Sequence, residues 1–185
     1  MALLKVKKSD GFAAPAEGWH EVTIVSADRG RYQTGKMTKY LDIRFSEFPE
    51  QVKLRVHQVI TDGEEWKILS IFRYANAGIT EVLVAEDGVG QMNIDDDPRH
   101  LVGCKLNVYV YKKDNGYTEV SDNVAPSIFS NDYESYDEKG VEDKKKVKEA
   151  QIKTFINKNT SNDDWDSSNS SDNGVPETAA SDGWD

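Results

Sequence analysis

The chain has 185 residues, with 23 Lys and Arg against 33 Asp and Glu, a net charge of −10, and a single cysteine, Cys104. One thiol excludes an internal disulfide framework, and no run approaches the roughly 18 apolar residues of a membrane-spanning helix. The charge is unevenly spread: residues 159–185 hold seven carboxylates and no Lys or Arg, which leaves residues 1–158 with 26 acidic and 23 basic side chains, a net of −3. That near-neutral body is long enough for one domain with its own core. The start lacks the long apolar stretch of a secretory signal, so a soluble, cytoplasmic protein is expected.

In chain order, residues 1–17 read as a mobile polar arm with Lys5, Lys7 and Lys8. A first strand spans Trp19 to Ala27, with Val22 and Ile24 inward and Glu21, Thr23 and Val25 outward. Asp28 to Thr38 reads as a glycine-containing, cation-rich turn. A second strand, Lys39 to Phe45, points Leu41, Ile43 and Phe45 inward. After a break at Pro49, a third strand runs from Gln51 to Val59 with Val52, Leu54 and Val56 inward. One apolar and one polar face describe an antiparallel sheet. A helix follows, with Thr61-Asp62-Gly63-Glu64 as its capping box, Trp66, Leu69 and Phe72, and Ile68, Ile71 and Ala75, at helical spacing, and Gly78 at the C-terminal cap. Residues 79–100 read as irregular. A fourth strand spans Cys104 to Lys112, Asp114-Asn115-Gly116 is a hairpin turn, and Tyr117 to Ser121 is a short fifth strand. Glu142 to Asn157 reads as a short charged helix within a linker covering 131–158.

Three strands, a helix and two more strands are the order of a five-stranded OB-fold-like antiparallel barrel, with its helix between strands 3 and 4. The expected fold is therefore mainly β, over residues 18–130, with a small open α+β sheet as the competing arrangement. Cys104 is expected to be a buried structural thiol.

The outward face gathers Arg29, Arg31, Tyr32, Lys36, Lys39, Tyr40 and Arg44, then Lys53, Arg55 and His57, then Lys105, Tyr109, Tyr111, Lys113 and Tyr117. Diffuse cations serve phosphates and flat rings serve splayed bases, so tyrosines interleaved with Lys and Arg suit single-stranded nucleic acid. Between Asp28 and Phe45 there are five basic residues against two acidic ones. A β-bulge would exchange the faces, so which tyrosines share one groove stays open. The other reading of these residues is an ordinary solvated sheet face. Gly30-Arg31-Tyr32-Gln33-Thr34-Gly35-Lys36 matches the opening of a phosphate-binding P-loop, but Met37 stands where Ser or Thr must hold Mg²⁺, and a strand follows where a helix is required. No histidine spacing or carboxylate pattern marks a metal or catalytic site, and no cofactor is expected. Asp95-Asp96-Asp97 reads as a solvated turn.

Residues 159–185 are too polar to bury surface and are expected to be a disordered acidic tail. The tail nevertheless keeps two tryptophans in matching acidic settings, Asp163-Asp164-Trp165-Asp166 and Asp182-Gly183-Trp184-Asp185. With these features the chain resembles the single-stranded DNA-binding proteins of bacteriophages, through the OB-like strand order, the helix after the third strand and the acidic, aromatic-tipped tail. The resemblance implies a non-enzymatic protein that coats single-stranded DNA in the host cytoplasm. Asp182, Trp184 and Asp185 would then dock replication or recombination enzymes, with Asp163, Asp164, Trp165 and Asp166 as a second copy, and the tail would compete with DNA for the groove. Trp replaces the family's penultimate Phe and the adjacent proline is missing, which points to a phage-encoded partner. Self-association is compatible with this reading. The alternative is a protein–protein adaptor or phage structural protein on a small β-barrel, with the tail as bait. A third class, an enzyme of nucleotide or nucleic-acid metabolism, would show a divalent-metal-dependent activity that removal of Lys36 or of the Asp95 to Asp97 cluster abolishes.

Overall fold

The computed structural model describes residues 14–32, 39–61, 64–84 and 90–160. In chain order they form β1 (Gly18–Arg31), β2 (Lys39–Phe45), β3 (Leu54–His57), β4 (Ile60–Thr61), β5 (Glu64–Glu65), α1 (Lys67–Tyr74), β6 (Ile79–Val84) and β7 (Gly90–Ile94). A 3-10 turn at Pro98–Leu101 leads into β8 (Lys105–Lys112), β9 (Thr118–Val120), β10 (Phe129–Ser130), β11 (Ser135–Tyr136) and α2 (Glu138–Thr160). The fold is mainly β. No helix among the described residues is long and apolar enough to cross a membrane.

The principal sheet has five antiparallel strands in the order β3-β2-β1-β8-β9. β1 is its spine. Its first half, Gly18 to Thr23, pairs with β8, and its second half, Ile24 to Arg31, pairs with β2. The alternating apolar residues all fall on the inner face: Val22, Ile24, Leu41, Ile43, Phe45, Leu54, Val56, Leu106, Val108 and Val110 are buried. Ile68, Ile71 and Phe72 of α1 close over them and join the same core. Burying each such side chain contributes about 1.5–3 kcal/mol.

The expected closed barrel does not form. Among the described residues no ladder joins β3 to β9, although their Cα atoms approach within 8 Å. Four residues on one edge and three on the other offer few backbone groups for closure, and the chain leaves β3 at His57 to make the β4–β5 turn. α1 does lie between the third and fourth strands of the sheet, as the sequence order implies.

Both ends of α1 are made differently from the expectation. The capping carboxylate belongs to Glu65, which accepts hydrogen bonds from the amides of Lys67, Ile68 and Leu69 at 2.9–3.0 Å. At the other end Asn76 takes the left-handed turn at φ 53°, with Ala77 N donating to Phe72 O and Asn76 N to Arg73 O. That is a Schellman closure, and Asn is the best substitute for Gly there. Gly78, also at positive φ, serves another purpose: a Cβ on it would overlap the Asp95 carbonyl, and its own carbonyl accepts from Asp95 N at 2.7 Å. Within residues 79–100, expected to be irregular, Ile79–Val84 and Gly90–Ile94 instead pair as the antiparallel β6–β7 ladder.

α2 is longer than its apolar content suggests. Asp137 Oδ1 caps it through Gly140 N at 2.7 Å, and Val141 and Ile152 are its buried anchors. The β10–β11 ladder holds its start against α1, where Arg73 makes a forked bond to Glu134 at 2.9 and 2.7 Å and Tyr74 meets Tyr136 edge to face. Cys104 is half-buried and reduced. Burial pushes its thiol up, and its Sγ lies 3.3 Å from the His100 carbonyl.

Candidate functional site

The register of β1 decides which side chains share the outer face. Ile24 pairs with Phe45 but Ser26 pairs with Arg44, so Val25 is an extra residue, a β-bulge. Beyond it the parity of β1 reverses. Ser26, Asp28 and Gly30 stand outward beside Arg44, Asp42 and Tyr40, while Arg29 falls in the row of Leu41. β3 adds Arg55 beside Asp42 and His57 beside Tyr40.

At the hairpin end of this face three rings converge. Tyr32 stacks on His57 with centroids 5.8 Å apart and planes at 13°, and meets Tyr40 at 5.0 Å. Tyr40 and His57 are 6.4 Å apart. Gly30 makes this possible, because a Cβ there would overlap the Tyr40 ring lying across β1. The Arg55 guanidinium sits 4.2 Å from the Tyr40 centroid and donates to the Tyr32 hydroxyl at 3.0 Å.

Arg55 is held there by Asp42. Its Nε and terminal nitrogen donate to the two carboxylate oxygens at 2.6 and 2.7 Å, and Lys53 Nζ reaches the same carboxylate at 2.7 Å. Asp42 is 8% exposed, yet the Arg55 bonds, and secondarily Lys53, hold its carboxyl down to about 2 against the opposing effect of burial. The Asp42 bonds likewise raise Arg55 above the ordinary guanidinium range. Two cations sharing one carboxylate leave a net positive charge under the rings. Arg44 lies beside this trio, 3.4 Å from Asp28, and with Glu50, Gln51 and Lys53 it lines an open basin. The Arg44 Nε and Ser26 Oγ are buried without a hydrogen-bond partner among the described residues. Arg31 and Lys39 pair across the neck of the hairpin and are exposed. Lys36 lies outside the described residues, as do the tail residues Asp163, Asp164, Trp165, Asp166, Asp182, Trp184 and Asp185.

The remaining sequence candidates do not join this cluster. Arg29 turns away to the Asp96 side chain and carbonyl. Tyr109 packs edge to face on Trp19 at 5.3 Å, and Trp19 Nε1 donates to Glu149 of α2 at 3.2 Å. After β9 the chain runs along β8 to Ala125 and then crosses the outer face. There Asn107, 2% exposed, donates to the Pro126 carbonyl at 2.8 Å, and Ser127 donates to Glu21 at 2.9 Å. Lys105 is engaged by Glu21 at 3.2 Å and Lys113 by Glu119 at 2.7 Å. The Tyr111 hydroxyl donates to Glu119, and burial together with that bond raises it well above the ordinary tyrosine range. Tyr117 is 73% exposed on the β8–β9 turn.

Sequence reasoning missed Asp42 as the residue that organises the face, since an outward Asp between cations reads as a lone acid. Its place opposite Arg55 is visible only once the β2–β3 register is known. The P-loop resemblance fails in structure as well: Lys39–Phe45 is a strand, with no helix to aim amides at a phosphate. The Asp95 to Asp97 carboxylates are taken by local partners, Asp95 by His100 at 2.9 Å, Asp96 by Arg29, and Asp97 by the Arg99 amide and side chain. No protein-family model matches the chain, and no curated protein matches it in sequence.

Proposed function

We propose that the chain is a non-enzymatic single-stranded DNA-binding protein built on an open version of the OB arrangement. The single observation that supports this reading is the Tyr32–Tyr40–His57 cluster with Arg55 fixed against it on the β1–β2–β3 face, which no described segment crosses. Three rings offer bases a stacking surface worth about 1–3 kcal/mol per base, and Arg44 and Lys53 on the same face add charge for phosphates, while Arg31 and Lys39 lie in the Leu41 row at the neck of the hairpin. Neither element reads base identity, so sequence preference is weak and affinity falls with salt as counterions are released. The order β3-β2-β1-β8-β9 with α1 between the third and fourth sheet strands supports the OB reading. The acidic tail, with Trp165 and Trp184, then serves as the dock for replication or recombination enzymes of phage type and competes with DNA.

The test is fluorescence titration of the full-length protein with oligo-dT of roughly 30 nucleotides, against the duplex of equal length, at two salt concentrations. Tight, salt-sensitive, single-strand-selective binding is expected, and truncation after Thr160 tightens it at low salt. Absence of binding at low salt, with and without the tail, overturns the reading in favour of a protein-binding adaptor.

A further inference from the structure

From Lys144 to Lys158, α2 carries six lysines and one acid, Glu149. Three of the six are satisfied within the helix: Lys145 by Glu142 at 3.0 Å, Lys146 by Asp143 at 3.8 Å and Lys153 by Glu149 at 2.5 Å. Among the described residues Lys144, Lys148 and Lys158 make no salt bridge. The acids whose charge reaches Lys144 and Lys148, Glu134 and Asp122, are already bonded to Arg73 and Lys67.

Helical spacing gathers these three lysines. Lys144, Val147, Lys148, Gln151, Phe155 and Lys158 follow one another at intervals of three or four residues and share one side of α2. Val147 and Phe155 are 58% and 56% exposed there. Bare apolar side chains set among unpaired ammoniums complement a segment that is both acidic and aromatic.

Such a segment follows directly. α2 ends at Thr160, and residues 161–185 hold seven carboxylates, two tryptophans and no Lys or Arg. At 1.5 Å per residue Phe155 lies about 7.5 Å back along the helix from Thr160, while the five residues to Trp165 span up to roughly 17 Å. Trp165 can therefore reach Phe155 of its own chain, and the tether supplies it at an effective concentration on the order of millimolar.

We infer that the inner acidic tryptophan motif docks on α2 of its own chain. Trp165 covers Phe155, Asp163 and Asp164 face Lys158, and Asp166 and Asp172 run back toward Lys148 and Lys144. The outer motif, Asp182-Gly183-Trp184-Asp185, is left for partner enzymes, so two matching motifs have different roles. The role of the outer motif rests on the reading of the tail as a dock; the α2 contact needs neither DNA nor the tyrosine cluster.

The experiment follows quenching of tryptophan fluorescence by acrylamide, a neutral quencher, in the full-length protein without DNA. Trp165 is isolated as the difference between Trp184→Phe and the Trp165→Phe/Trp184→Phe double variant, and Trp184 by the reciprocal pair. At low salt Trp165 is expected to be shielded and Trp184 open. High salt screens the charge contacts and should raise the Trp165 quenching constant at least about twofold. Phe155→Ser and, separately, Lys148→Gln/Lys158→Gln should each open Trp165 at low salt with unchanged helical circular dichroism. Trp165 quenched equally at both salt concentrations, or unmoved by both variants, overturns the contact. Shielding that fades on dilution also overturns it, since the dock would then hold the tail of another copy. Shielding of Trp184 in place of Trp165 overturns the division of roles. Failure to bind oligo-dT would remove the tyrosine platform and leave every one of these readouts in place.

Discussion

On β2, β3 and the residue before β3, Tyr40, Lys53, Arg55 and His57 stand on a face that no described segment crosses. On β8, Tyr109 lies against Trp19 and α2, and the chain after Ala125 passes over Asn107. The two halves of one sheet face thus carry the same residue types, alternate with the same period, and reach opposite ends: one is a presented surface, the other an internal seam. Alternation tells which side of a strand a residue takes. It says nothing about whether another part of the chain will cover that side, and tyrosine serves both fates because its ring packs as readily as it stacks.

The sharpest way to break this comparison is at Asp42. Asp42→Ala leaves Arg55 and Lys53 crowded without their acid and should cost about 2 kcal/mol by chemical denaturation, with the tyrosine cluster loosened. The same group sets a pH dependence. Its folded pKa lies below the unfolded value, so its contribution is fully present above about pH 4 and is lost as pH falls through about 2. Acid unfolding followed by circular dichroism should show this component in the wild type and lack it in Asp42→Asn. Next, Tyr40→Ala should weaken oligo-dT binding about tenfold with little change in stability. Tyr109→Ala should do the reverse, leaving binding unchanged while lowering stability by about 1 kcal/mol through the Trp19 contact. If Tyr109→Ala weakened binding as much as Tyr40→Ala, the division of the face would be wrong. The smallest effect belongs to Lys113→Gln, whose exposed pair with Glu119 is worth less than about 0.5 kcal/mol and which should leave the salt slope of binding unaltered.

The strands of the sheet were legible because Leu41, Ile43 and Phe45, or Leu106, Val108 and Val110, fall at period two between polar neighbours. The β1–β2 hairpin was legible too, although β1 runs on to Arg31 where the glycine and cations suggested a turn. The bulge at Val25 was not, since an inserted residue leaves no mark in composition, and it moved Arg29 and Arg31 into the row of Leu41, off the face of Tyr40. The closed barrel was an inference from strand count, and count carries no information on whether two short edges meet. Asn76 took the cap expected of Gly78, and Glu65 the cap expected of Thr61. In both cases several residues could satisfy the local geometry and tertiary contacts chose among them. The β6–β7 hairpin was hidden because Val82, Leu83 and Val84 run together without alternation.

The Asp42 clamp has a consequence for the entropy of capture. A lysine or arginine free in solvent surrenders up to about 2 kcal/mol of rotamer freedom when a ligand immobilises it. Arg55 has surrendered its share during folding, between the Asp42 carboxylate and the Tyr40 ring. If the face binds a strand as proposed, that strand would meet in Arg55 a cation whose ordering the fold has already completed, and only the remaining cations of the face would have to give up freedom on binding.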